Sequence, residues 1–424
     1  MKQHETLPLV PVARARGVWL YDFDGRRYLD AISSWWVNLF GHANPRINAA
    51  LASQLRELEH VMLAGFTHEP VVQLSERLSA LTGGGLGHCF YASDGAAATE
   101  IALKMSFHYW CNHGQPQKTG FVSLANSYHG ETLGALSVTD VAVFKATYAP
   151  LLRGSTQVPS PDWRCAAPGE PPRAYAERCA GTLERHLEQH HRETAAFIIE
   201  PLVQGAAGMA MHDVEYLRRA RALCDRFDVH MIADEIMIGC GRSGTFFAHE
   251  QAGITPDFLC LSKGITGGYL PLSVVLTTDE VYAAFYDDSV ARGFLHSHSY
   301  TGNALACRAA LATLDIFEQD HVIATNRAKA GYLGRAAQSL ARHPQVRNFR
   351  NTGMIWAFDV ESDDPAFARR FFQAALAREL LLRPIGNTVY FMPPYTITEP
   401  EIDFLVAGTC AALETALEPN RPPA

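Results

Sequence analysis

Val229-His-Met-Ile-Ala-Asp-Glu235 and, further on, Phe258-Leu-Cys-Leu-Ser-Lys-Gly264 are two short apolar runs that end in charge, the first in Asp234 and Glu235, the second in Lys263. Apolar runs of this length, bounded by polar or glycine residues, read as strands buried on both faces of a parallel sheet. Three more share the pattern: Gly120-Phe-Val-Ser-Leu124, Ala196-Phe-Ile-Ile-Glu200 and Leu272-Ser-Val-Val-Leu276. Amphipathic stretches lie between them. In Val214 to Phe227, Leu217, Ala220, Leu223 and Cys224 recur at helical spacing with Arg and Asp on the other face. Strand and helix alternate, which predicts an α/β fold: a doubly wound, mostly parallel sheet sandwiched by helices.

The last hundred residues differ. A helical pattern from Ala304 to about Ser339 leads into strand-like pieces at Gly353 to Val360 and Val389 to Met392, so a smaller α+β domain is expected there. The chain has 424 residues, beyond the roughly 100 to 200 of an ordinary single domain. We expect 1–45 to be the amino-terminal part of the small domain, 46–310 the large domain and 311–424 the rest of the small one. Val158 to Pro172 is rich in Pro and Ala, lacks periodicity and reads as a surface excursion. No internal repeat is visible.

Apolar residues make up 48% of the chain and charged ones 19%, a globular balance. The net charge is -8 and Lys and Arg form no run, so the footprint of a nucleic-acid or anionic-membrane partner is missing. Nine cysteines are scattered without a CxxC pair and read as reduced, buried thiols. The amino terminus, Met1 to Val10, has no apolar signal region, and no stretch approaches the ~18 apolar residues of a membrane span. A cytoplasmic enzyme is expected.

In open α/β sheets ligands bind outside the carboxyl ends of the strands, so Asp234 and Lys263 are candidates to share a site. A lysine amine condenses with an aldehyde, and a carboxylate against the ring nitrogen of pyridoxal phosphate keeps that nitrogen protonated. A lone acid or lysine is more often a cap or a solvated charge. Lys263 stands apart, however, as the one of six lysines that directly follows an apolar strand and precedes glycines, Gly264, Gly267 and Gly268. Phe90 to Lys104 supplies a strand, a small-residue turn and a helix starting near Gly95, whose amides suit a phosphate; alone it reads as an ordinary N-cap. Gly83-Gly-Gly-Leu-Gly87 lacks the glycine spacing of a dinucleotide loop. Tyr128, in Asn126-Ser-Tyr-His-Gly-Glu131, arrives at the same sheet edge and could stack on a planar ring. His186 and His190 lie four apart on a helical stretch, yet nothing completes a metal ligand set there or around His296 and His298.

These residues resemble the class III, fold type I aminotransferases over nearly the whole chain. The resemblance rests on Ser33-Ser-Trp-Trp-Val-Asn-Leu-Phe-Gly-His42, Tyr128-His-Gly-Glu131, Ile232-Ala-Asp-Glu-Ile236 with Gly239-Cys-Gly-Arg242, Leu261-Ser-Lys-Gly264, His298-Ser-Tyr-Thr-Gly-Asn303 and Arg383-Pro-Ile-Gly-Asn-Thr-Val-Tyr390. The double Trp and the Arg/Tyr pair point within the class to the biotin branch, which moves an amino group from S-adenosylmethionine to 8-amino-7-oxononanoate. The resemblance implies that Lys263 joins pyridoxal phosphate as a Schiff base, Asp234 pairs with the pyridine nitrogen and Tyr128 stacks on the ring, with Gly95 and Ala96 offering amides to the phosphate. Ala96 stands where relatives commonly have Ser. Ser299 would complete the phosphate site of the neighbouring subunit, which requires a homodimer. Trp35 and Trp36 would wall the substrate pocket, and Arg383 and Tyr390 would hold the acceptor's carboxylate, as an Arg fork suits such a group. Arg383, between Leu382 and Pro384, is expected to need a partner for its charge. Arg242 resembles a position near the substrate, with a structural salt bridge as the other reading. Relatives carry a Trp-His-Pro-containing pocket segment upstream of where this chain starts. The rivals are another class III enzyme using an ω-amine donor, the same acceptor with lysine as donor, an aminomutase, and a non-catalytic cofactor-binding protein.

Overall fold

A computed structural model of the chain describes residue 7 and residues 9–418. Residues 1–6 and 8, within the amino-terminal stretch read above for an apolar signal region, lie outside the described residues. The chain divides into two compact units, one of residues up to 48 with those from 316, the other of residues 49–315. The divisions at 48/49 and 315/316 fall in the helices Pro45–Gln54 and Ala304–Gln319, a few residues from the expected 45/46 and 310/311.

The 49–315 unit holds a seven-stranded sheet: β1 His88–Ala92, β2 Gly120–Leu124, β3 Thr156–Val158, β4 Thr194–Ile199, β5 His230–Asp234, β6 Phe258–Leu261 and β7 Ser273–Thr277. Their spatial order is β1-β7-β6-β5-β4-β2-β3. Adjacent pairs from β6 to β3 run parallel, with Ala233 opposite Leu259 and Ala196 opposite His230. β7, read from sequence as parallel, is antiparallel to both its neighbours. A strand buried on both faces looks equally apolar in either direction, so direction is left to the connections.

Alternation carries the two faces. Ile198 of β4, with Ile232, Cys260 and Val275, packs into a core against α1, Gly95–Asn112. Phe197 points the other way, its ring edge-on to Tyr216 of α2, Glu215–Phe227. Burying each such side chain contributes roughly 1.5–3 kcal/mol. α1 starts because Asp94 accepts a hydrogen bond from the amide of Ala97 at 2.9 Å, and α2 ends where Asp228 turns left-handed at φ 55°. Val158 to Pro172 is tethered: Asp162 is buried and paired with Arg164, which also donates to the carbonyl of Ala207.

The other unit carries two small sheets. Val12–Arg16, Trp19–Asp22 and Arg27–Asp30 form an antiparallel meander that Leu380–Leu381 extends in parallel; Val346–Thr352, Ile355–Val360 and Thr388–Phe391 form an antiparallel trio. The helical pattern from Ala304 to Ser339 is not one helix, since His321 takes φ 47° between Ala304–Gln319 and Val322–Ala336. Among the described residues no helix is long and apolar enough to cross a membrane. All nine cysteines are unpaired; five are buried, but Cys165 is exposed, contrary to the expectation of uniformly buried thiols.

Candidate active site

Five segments leave the carboxyl ends of strands that run in one direction at one edge of the seven-stranded sheet, with antiparallel β7 between β1 and β6. Asp234 ends β5, Lys263 follows β6 by two residues, Glu200 follows β4, Tyr128 follows β2, and Gly95 follows β1. Four of these were expected at that edge. Glu200 was not, although a carboxylate directly after an apolar run is the same signal that singled out Asp234.

Asp234 is buried, and its two oxygens are both engaged. Oδ2 lies 2.7 Å from Nδ1 of His129, and Oδ1 accepts from the amide of Ile236 at 3.1 Å. Because a carboxylate has no proton to give, the imidazole donates to it through Nδ1; Nε2 is buried and has no protein partner. His129 itself is held at both ends: its amide donates to Thr139 Oγ1 and its carbonyl accepts from Thr99. No spacing rule pointed to His129. Its only signal was its place beside Tyr128.

The adjacent carboxylate serves a different purpose. Glu235 accepts from the amides of Ala248 and His249 and from His249 Nδ1, all within 2.8 Å, and so anchors a turn. Glu200 accepts from the amides of Tyr128 and Gly205 at 3.0 Å each, which ties the Tyr128 segment to the end of β4. Burial pushes its carboxyl up to about 7, with His129 opposing the shift and Asp234 adding to it. Tyr128 donates from its hydroxyl to Glu131 at 2.9 Å, and its ring meets Phe144 edge-on at 5.3 Å.

Lys263 takes a left-handed backbone, φ 45°, just after Ser262, whose hydroxyl donates to the carbonyl of Leu272. Burial pulls its amine down to about 8, while Asp234 and Glu200 pull the other way. A depressed amine keeps a useful neutral fraction near pH 7, about a tenth instead of the roughly one in several thousand of an exposed lysine.

Gly95 and Ala96 open α1, where the amides have no carbonyl behind them in the helix. The approach is tight: a Cβ on Gly95 would meet Ile236 Cγ2 at 2.9 Å, and one on Gly130 would meet Ala96 Cβ at 2.6 Å. Small residues therefore let the helix start, the Tyr128 segment and the strand end bearing Asp234 come together. A primary amine, a buried carboxylate, an aromatic ring and two helix-start amides at one edge are the donor set that pyridoxal phosphate requires, and the residues fit it.

Ser299, in the same unit, is exposed, and its carbonyl accepts from His60 at 2.8 Å. Arg242 is buried, 1% exposed. His296 receives Lys104 at 2.9 Å and faces His298 at 3.3 Å; among the described residues no group of three or more possible ligands gathers for a metal.

The residues expected at the substrate belong to the other unit. Trp36 is buried and donates from its indole to the hydroxyl of Tyr390 at 3.1 Å. Trp35 is 54% exposed, and the guanidinium carbon of Arg383 lies 4.9 Å from its ring centre. The two tryptophans therefore differ, one packed inward and one a platform. Arg383, expected from its apolar neighbours to need a partner, is exposed, and what it meets is the face of Trp35.

Comparisons with known proteins agree with this chemistry. A family model described as aminotransferase class III matches residues 1–413. The adenosylmethionine-8-amino-7-oxononanoate aminotransferase of Helicobacter pylori is 47% identical over 98% of this chain and 94% of its own. The crystal structure of the enzyme of that name from Methanocaldococcus jannaschii superposes with a TM-score of 0.91 at 33% identity, covering 97% of this chain and 94% of that one. An amine transaminase from an uncultivated Pseudomonas species, in its PLP-bound form, reaches 0.90 at 34% identity, covering 96% and 95%.

Proposed function

The chain belongs to the class III aminotransferases, and from that premise we propose that it transfers the amino group of S-adenosylmethionine to 8-amino-7-oxononanoate, giving 7,8-diaminononanoate for biotin synthesis. Fold similarity does not choose the substrate, since an amine transaminase superposes as well as the Methanocaldococcus enzyme does. The observation that carries the choice is the cluster of Trp35 beneath Arg383 and Trp36 against Tyr390, a cation on an indole beside a phenol. The 47% identity to the Helicobacter protein supports it.

Pyridoxal phosphate, when bound, supplies the electron sink that lets a proton leave the carbon carrying the amino group. Lys263 would hold it through Nζ, Asp234 would face its ring nitrogen, Tyr128 would lie on its face, and the amides of Gly95 and Ala96 would take its phosphate. His129 orients Asp234. Lys263 would also carry the proton from the donor α-carbon, a task for which an amine pulled down to about 8 is suited. Arg383 and Tyr390 bind the acceptor's carboxylate, and Trp35 and Trp36 bound its aliphatic chain and the donor's sulfonium. Both substrates react in turn, in ping-pong order. We further propose that the enzyme works in the cytoplasm as a homodimer in which Ser299 of one protomer completes the phosphate site of the other.

Two variants test the reading. Lys263→Ala is expected to lower turnover by on the order of 10³-fold or more. Arg383→Ala is expected to slow the half-reaction with 8-amino-7-oxononanoate and spare the half-reaction with the donor; equal loss in both would remove Arg383 from its role. Following the cofactor's absorbance with S-adenosylmethionine or lysine alone identifies the donor.

A further inference from the structure

Four consecutive residues, Ser33, Ser34, Trp35 and Trp36, have positive φ, of 52°, 46°, 72° and 74°, and none is glycine. They form one left-handed turn, closed by hydrogen bonds from Trp36 to the carbonyl of Ile32 and from Val37 to that of Ser33. L-residues adopt this conformation singly, not in runs, so local preference opposes the turn and long-range contacts must impose it. Those contacts converge on Asp30, which is fully buried. One oxygen accepts the amide of Ser34 at 2.9 Å; the other takes the Ser34 hydroxyl at 2.6 Å and His42 Nε2 at 3.0 Å. Ser33 Oγ adds a bond to the carbonyl of Met392 at 2.7 Å. The turn delivers two things: Trp36 to the hydroxyl of Tyr390, and Trp35 to the guanidinium of Arg383.

We propose that Asp30 and Ser34 are positioning residues for recognition of the acceptor's carboxylate: they lock the left-handed turn, and the turn holds Arg383 in place through the face of Trp35. Neither touches the substrate. An exposed arginine has many rotamers, and a ring stacked beneath it removes most of them before the anion arrives. The proposal rests on the reading above that Arg383 binds that carboxylate.

The test compares 8-amino-7-oxononanoate with its methyl ester, which keeps the reacting ketone and loses the charge, using cofactor-loaded wild type, Ser34→Ala, Asp30→Asn and Arg383→Ala. Wild type is expected to prefer the acid, and Ser34→Ala and Asp30→Asn to lose that preference by about tenfold in kcat/KM, through KM for the acid. A turn that is structural only would lower acid and ester together, and that result overturns the proposal, as does an unchanged preference in Ser34→Ala. If Asp30→Asn does not fold, Ser34→Ala, which removes one hydroxyl, carries the test. Adding Ser34→Gly to Asp30→Asn should return part of the preference, because glycine takes positive φ without a Cβ penalty; no return contradicts the proposed role of Asp30. Wild type indifferent to the ester, or Arg383→Ala without effect, refutes the substrate reading itself.

Discussion

Lys263 has a left-handed backbone, a half-buried side chain and an amine pulled down to about 8, and these belong together. The positive φ turns the chain at the end of β6, and the burial that follows disfavours the charged form. The sign is clear: a lysine depressed from its usual 10.5 loses its proton at lower pH, so the reactive neutral amine grows as pH rises toward 8 and levels above it. Recombination of cofactor-free protein with pyridoxal phosphate should follow that curve, and a rate unchanged between pH 6 and 9 would contradict it. His129 holds Asp234 by a hydrogen bond. Replacing it by alanine leaves a buried carboxylate without its 2.7 Å donor, at an expected cost of about 1–3 kcal/mol in chemical unfolding of the cofactor-free protein. Cofactor retention should fall as well, measured by dialysis; full retention would show that Asp234 does not need the imidazole.

At the scale of elements, the amino-terminal end of α1 depends on how closely the helix start approaches the turn after β5. A Cβ at Gly95 would stand 2.9 Å from Ile236, two residues past Asp234, so helix and turn cannot both keep their places in Gly95→Ala. Overpacking of this kind costs about 1–3 kcal/mol. The expected result is a lower urea midpoint with an unchanged slope, together with weaker cofactor binding; a midpoint equal to wild type would mean the contact relaxes freely. The left-handed turn at Ser33 to Trp36 shows the same dependence in a different form. Each non-glycine residue held there costs roughly 1–2 kcal/mol of local preference, which Asp30, Tyr390 and Met392 offset from other elements.

For the whole molecule, the question is whether one chain makes one site. A shared site gives a specific result on mixing. Lys263→Ala and Ser299→Arg should each be inactive alone, yet coexpressed they should recover about a quarter of wild-type activity, because half the dimers are mixed and each mixed dimer has one site with both residues intact. No recovery would place Ser299 at its own protomer's site, and an active Ser299→Arg would place it at none. The fold does not choose the substrate: the Methanocaldococcus enzyme and the Pseudomonas amine transaminase superpose on this chain almost equally.

Much was readable along the chain. Apolar runs ending in Asp234 and Lys263 announced buried strands with charge at their carboxyl ends, and the helix at Gly95 announced itself by Asp94 and its small residues, since strand length, caps and periodicity are set by neighbours a few residues away. Other features were not. The direction of β7, the break at His321, the pairing of His129 with Asp234 across 105 residues and the stacking of Arg383 on Trp35 depend on partners distant in sequence. The turn at Ser33 to Trp36 runs against local preference altogether. Handedness and pairing there follow from where a buried carboxylate must find its donors, and only the folded chain brings those donors within reach.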